Sequence, residues 1–194
     1  KKIGLPINKF VVATNQNDIL HRAISNGAYN VENVLETISP SMDIQIASNF
    51  ERLIFDLNNH NDKKTIDVMK GIKENGKYEI KKESLDKINV DFLSSKMDEI
   101  EVLNTIKTVY EKFDKVLDPH SAIGYGAFDK VNLKGNNIVL ATAHPCKFPD
   151  AIEKAINMKA ELPDELAFIL DEKENYDILD NNLNKIKQHI KERI

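Results

Sequence analysis

Phe10-Val11-Val12-Ala13-Thr14-Asn15-Gln16-Asn17-Asp18 decides the fold class. A short apolar run, Phe10 to Ala13, follows polar Asn8-Lys9, as in a strand of a parallel sheet buried on both faces. The polar stretch Thr14 to Asp18 ends on a residue suited to capping the helix Ile19 to Asn26, which Gly27 closes. Strand, loop, helix is the repeating unit of α/β folds. The same order recurs downstream. Asn137 to Ala141, with Ile138-Val139-Leu140 at its centre, reads as a second buried strand, Thr142 to Lys147 as its loop, and Asp150 to Ile156 as its helix. The two strands are expected to lie side by side, or nearly so, in one parallel sheet. Ligands of such sheets sit beyond the carboxyl ends of the strands, so the loops Thr14–Asp18 and Thr142–Lys147 are the candidate site.

Between these units the periodicity predicts a strand over Val34 to Ser39, ended by Pro40, and a helix over about Met42 to Leu57 with Ile44, Ala47, Leu53, Ile54 and Leu57 on one face. Asn58 to Lys64 is polar and turn-rich, and the Lys- and Glu-laden stretch to Lys96 reads as a helical insertion or small subdomain. Helices resume over Asp98 to Phe113 and from Pro119 to Ala127, and Tyr176 to Ile194 is patterned as an amphipathic docking helix. The domain division predicted is 1–57 and 97–160 as parts of one large α/β domain, 58–96 as the insertion, and 161–194 as a helical tail. Lys1-Lys2-Ile3-Gly4-Leu5-Pro6 has the pattern of the last turn of a helix, which leads us to expect further chain upstream.

Composition narrows the function. The 194 residues are 41% hydrophobic and 30% charged, and 27 Lys+Arg interleaved with 31 Asp+Glu leave no basic face for nucleic acid. One cysteine, Cys146, makes no internal disulfide, and the apolar runs fall well short of a bilayer span, so a cytoplasmic protein without nucleic-acid or membrane partners is expected. His60, His120, His144 and His189 lack metal-ligand spacing, and no glycine-rich phosphate loop occurs. His144 and Cys146 could form a base and thiol nucleophile, but residues two apart in a loop usually point different ways. Asp118-Pro119 reads as a helix cap followed by proline in the first turn.

Four stretches carry a resemblance. Ile38-Ser39-Pro40-Ser41-Met42-Asp43-Ile44 with Ser48-Asn49-Phe50-Glu51-Arg52, Leu117-Asp118-Pro119-His120-Ser121-Ala122-Ile123-Gly124-Tyr125, Ala141-Thr142-Ala143-His144-Pro145-Cys146-Lys147-Phe148-Pro149, and Val12 to Leu20 resemble threonine synthases, notably the bacterial and fungal branch. Gln16 stands where the family usually has Glu, and Asn58 to Lys96 matches weakly. The resemblance implies the C-terminal portion of a type II pyridoxal-phosphate (PLP) fold, with parallel strands flanked by helices and a helical insertion. It implies conversion of O-phospho-L-homoserine and water to L-threonine and phosphate in the full-length enzyme. The family's Schiff-base lysine lies in a Ser-Phe-Lys-Asp motif and its cofactor phosphate in a Gly-Asn-Phe-Gly loop; neither motif occurs here, and Lys147 is not that lysine. The chain therefore has no catalytic residue of its own on this reading, is expected to be inactive alone, and has the upstream part of the enzyme as its partner.

Residue roles follow by position. Thr142 matches the hydroxyl that faces the pyridine nitrogen, or is a strand-end threonine bonded to backbone. Asn15, Asn17 and Asp18 line the cofactor cleft or hold their loop. Ser41, Asp43, His120 and Lys147 orient the substrate phosphate or carboxylate, with helix capping the other reading for Asp43 and for the Asp118–His120 pair. A catalytically silent α/β binding or assembly module is the alternative function.

Overall fold

The computed structural model describes residues 1–194, the Leu170 side chain excepted. It contains two compact units, 1–160 and 161–194. In the first, strand β1 (Phe10–Thr14) leads through the polar loop to helix α1 (Ile19–Asn26), as the sequence predicts. Gly27 ends α1 at φ 82, with its position for a Cβ only 2.9 Å from the Ile80 carbonyl oxygen, so both conformation and space require glycine there. A short hairpin-like pair follows, β2 (Ala28–Asn30) running antiparallel to β3 (Lys77–Glu79).

The parallel partner of β1 is β4 (Phe92–Lys96), in register from Phe10 opposite Phe92 to Thr14 opposite Lys96. This corrects two expectations. Residues 58–96 hold α3 (Asp62–Asn75) and α4 (Lys82–Asp91) but also β3 and this partner strand of β1, so the stretch is not a purely helical insertion. Asn137 to Ala141 lies in no strand or helix and forms no ladder with β1, and Ile138 and Leu140 stand 91% and 74% exposed. An apolar triplet specifies burial on both faces only where a neighbouring strand supplies backbone partners, and among the described residues none flanks it. The other strand expected, Val34 to Ser39, is irregular, because its polar groups bond to Asn17, Asp43 and Glu99 side chains and not to a second strand.

The predicted helix over Met42 to Leu57 is two pieces, a 3₁₀ turn at Pro40–Met42 and helix α2 (Phe50–Leu57). The intervening turn is pinned by Tyr29, fully buried and stacked on Phe50 at 4.9 Å, whose phenolic oxygen accepts the Ala47 N–H at 2.9 Å. Helix α5 (Glu99–Phe113) starts with a reciprocal capping box between Asp98 and Glu101. Helices α6 (Pro119–Val131) and α7 (Pro149–Ile156) complete the unit.

Two apolar cores result. One joins α1 to α4 through Ile19, Ile24, Tyr29, Ile54, Ile72 and Ile88, and the other joins α5, α6 and α7 through Val102, Ile106, Ile123 and Ile152. In the second unit the predicted tail helix is shorter than its pattern suggests: α8 spans Leu183–Lys191, capped by Asn182, and none of its residues is buried. Asp180-Asn181-Asn182 interrupts the apolar pattern with residues that favour turns over helix interior.

Candidate functional site

The loop after β1 is the centre of a polar network. Asn15, buried, donates through its amide to the Asp43 carboxylate at 2.7 Å and to the Thr37 and Ser39 hydroxyl oxygens at 2.9 Å each. Its own oxygen accepts the Asn17 N–H at 2.8 Å. Asn17 in turn donates to Asp43 at 3.0 Å and to the Leu35 carbonyl at 2.9 Å, while accepting the Leu35 N–H. Asp43 also takes the Thr37 hydroxyl and N–H at 2.7 and 2.8 Å. Asp43 therefore caps no helix: four donors from three residues occupy its carboxylate. The structure brings Asn15, Asn17 and Asp43 together, and Thr37 and Ser39, which the sequence reading passed over, complete the set.

Asp18 departs from its predicted capping role. No cap hydrogen bond forms, and its carboxylate pairs with Arg22 Nε at 2.7 Å and Lys96 Nζ at 2.8 Å. Lys96 ends β4, directly opposite Thr14, so the strand register delivers it to the loop. Burial pushes the Asp18 carboxyl upward, yet the hydrogen bonds and charges of Lys96 and Arg22 outweigh it and hold the group below the usual carboxylate range. A carboxyl depressed on folding stabilises the protein above its unfolded pKa and loses that contribution as pH falls through the folded one. The stability difference between wild type and Asp18→Asn should hence shrink as pH falls from about 5 to about 3, followed by denaturant unfolding at each pH. A difference independent of pH would contradict the ion pairing.

A second cluster sits at the start of α6. Asp118 caps the helix as predicted, accepting the His120 and Ser121 N–H groups, but it also binds both side chains: His120 Nδ1 at 3.0 Å on one oxygen and the Ser121 hydroxyl on the other. His120 is buried, its ring packed on Phe148 with centroids 4.7 Å apart, and its Nε2 accepts the Ser41 N–H at 3.2 Å. Ser121 Oγ accepts the Thr142 N–H at 3.0 Å. Thus His120 meets Ser41 and Thr142 meets the same cluster, although they lie far apart in sequence. Thr142 is exposed, just after the unpaired 137–141 segment.

Lys147 stands exposed on the 3₁₀ turn Pro145–Lys147 that precedes Phe148. In that turn His144 Nδ1 lies 2.9 Å from Cys146 Sγ, so these side chains do converge, contrary to the expectation from their spacing. The tight turn folds position 146 back over 144, with the Cys146 N–H also directed at the ring. Among the described residues no helix is long and apolar enough to cross a membrane.

The chain is similar to known proteins over most of its length. A family model described as "Threonine synthase, C-terminal" matches residues 121–190. Threonine synthase of Pseudomonas aeruginosa is 37% identical over 193 residues, covering 98% of this chain and 41% of that protein. That of Saccharomyces cerevisiae is 38% identical over 192 residues, covering 86% of this chain and 37% of its own length. The crystal structure of PLP-bound threonine synthase from Brucella melitensis superposes with a TM-score of 0.87 at 38% identity, over 98% of this chain and 41% of that one. The chain thus spans about two-fifths of the length of its relatives. Its α/β architecture is that of the type II PLP fold shared with those structures. The likeness covers nearly the whole of this chain, and the chain belongs to the threonine synthase family, in which it corresponds to the C-terminal part.

Proposed function

We propose that the chain is the C-terminal part of a cytoplasmic enzyme that converts O-phospho-L-homoserine and water to L-threonine and phosphate with PLP, and that it is inactive without the remainder of that enzyme. The observation that carries the reading is the donor set offered at Thr142. The residue is exposed, its hydroxyl is neutral, and its backbone is anchored by buried Ser121. That donor suits a pyridine nitrogen left unprotonated.

PLP, when bound, supplies an electron sink for charge developing on the substrate carbon, tuned by what faces its ring nitrogen. Thr142 donates a hydrogen bond to that nitrogen without the charge that would hold it protonated. Asn15 and Asn17 shape the adjoining cleft through the Asp43 network, and the ion-paired Asp18 fixes the start of α1 beside it. Because the Asp43 carboxylate is already filled by donors, it positions Asn15 and Asn17 and does not meet an anionic substrate. His120 likewise acts through Ser41, since both ring nitrogens are engaged. Ser41 and Lys147, exposed, remain to bind substrate phosphate or carboxylate, the ammonium as a point charge. The remainder of the enzyme covers exposed Ile138 and Leu140 and brings the Schiff-base lysine. The lone Cys146 accords with a reducing compartment.

The test uses the full-length enzyme. Thr142→Val keeps the side-chain shape and should weaken cofactor binding by about 1 kcal/mol, the worth of one hydrogen bond. Thr142→Asp should shift the cofactor's absorption and raise side products relative to threonine, because a carboxylate favours the protonated ring. Wild-type affinity in the first together with unchanged spectrum and partitioning in the second would reduce Thr142 to a structural residue.

A further inference from the structure

A carboxylate as deeply buried as that of Asp118, 1% exposed, is expensive to desolvate, and a solvent-facing aspartate caps a helix equally well. Its partners explain the burial. The Ser41 N–H points at His120 Nε2, so that nitrogen is the acceptor, and the ring N–H is the one on Nδ1, facing Asp118 at 3.0 Å. The Ser121 hydroxyl has one proton, and giving it to Asp118 turns its lone pairs outward to the Thr142 N–H. One anion therefore converts two side chains of mixed character into two fixed acceptors. Each acceptor holds a backbone N–H of a different segment, one from the Pro40–Met42 turn and one from the irregular segment at Thr142.

We infer that Asp118 is a positioning residue that sets the spacing between the cofactor-facing and substrate-facing sides of the cleft, through Ser121 to Thr142 and through His120 to Ser41. The inference rests on the roles proposed for Thr142 and Ser41. An acceptor-only carboxylate is required. The amide of Asp118→Asn has one oxygen and one NH₂, so it accepts from only one of the two side chains and presents a donor to the other. Facing His120, the amide NH₂ drives the ring proton to Nε2, against the Ser41 N–H; facing Ser121, it takes a hydroxyl lone pair and leaves the hydroxyl proton without its acceptor, so that nothing fixes the other lone pair on the Thr142 N–H. In either case one of the two segments loses its fixed acceptor.

The two arms are separable in the full-length enzyme. Ser121→Ala should raise the PLP dissociation constant about fivefold, as for one lost hydrogen bond, and leave KM for O-phospho-L-homoserine unchanged. Ser121→Thr, which keeps the hydroxyl, should restore cofactor affinity. His120→Phe should raise that KM by a similar factor of about five with cofactor affinity unchanged. Asp118→Asn should raise one of the two constants, the one that reads the released segment, and leave the other near its wild-type value. Thermal unfolding of each variant accompanies these measurements, and if Asp118→Asn does not fold, the two single-arm variants decide. Reduced Tm throughout with both constants at wild-type values, or both constants moving together in each single-arm variant, overturns the inference and leaves Asp118 a helix cap. A wild-type enzyme that releases no phosphate from O-phospho-L-homoserine, or Thr142→Val with unaltered cofactor affinity, overturns the functional reading itself and this inference with it.

Discussion

The isolated 194-residue chain, incubated with PLP and O-phospho-L-homoserine, should release phosphate no faster than free PLP does, whereas the full-length enzyme should turn over at rates ordinary for enzymes, about 1 to 1,000 per second. The reason is covalent. The amine that both anchors the cofactor and shuttles protons is a lysine, and no lysine of this chain lies in the family's Ser-Phe-Lys-Asp motif. Lys147 is exposed on its turn, and Lys96 is committed to Asp18 at 2.8 Å, so neither is placed as a free amine inside a cleft. The phosphate-binding loop is absent as well, which removes the main anchor for the cofactor's charge. Phosphate release by the purified chain above the free-cofactor rate would refute the proposal. So would a full-length protein carrying both motifs yet inert toward this substrate.

Ile123→Ala should lower unfolding stability by about 3 to 4 kcal/mol, measured by denaturant titration. Ile123 is fully buried on α6, packed among Val102, Ile106 and Ile152 of the neighbouring helices, so truncation leaves a cavity that rigid helix backbones cannot close. Ile123 lies one turn beyond His120, on the helix that presents Asp118 and Ser121. Cofactor affinity in the full-length variant should therefore fall along with stability. Ile123→Val, which removes one methyl, should cost only about 1 kcal/mol. Equal losses in the two variants would mean that polar contacts, and not packing, hold α6.

Much of this site was legible before the structure because its signals are local. The β1 strand, its polar loop, the helix closed by Gly27 and the Asp118 cap all follow from neighbours within a few residues. What escaped depends on partners distant in sequence. β4 was hidden because Phe92-Leu93-Ser94-Ser95-Lys96 is only half apolar, and its strand character comes from pairing with β1. The same cause acts in reverse at Ile138-Val139-Leu140, whose β-rich sequence is unpaired and forms no strand. Asp18 and Asp43 each sit where an N-cap fits, and local reading had no means of weighing Arg22 and Lys96, or Thr37 and the two asparagines, against a free helix end. The roles of the site residues toward cofactor and substrate came from resemblance and stand as proposals; their mutual bonding came from the geometry.

The pairing of β1 with β4 also governs the order in which the unit assembles. Roughly 80 residues must be looped out before Phe10 meets Phe92, an entropic cost of about 4 kcal/mol when the intervening chain is disordered. Two strands returning only five residue pairs do not recover that cost by themselves. Helices α1 to α4 and the β2–β3 pair lie within that loop and share one apolar core, so their earlier formation shortens the effective closure. The loop carrying Asn15 and the lysine that anchors Asp18 are consequently expected to come together after that core has formed. Destabilising the α1–α4 core should then slow assembly of the site before it alters any residue in it.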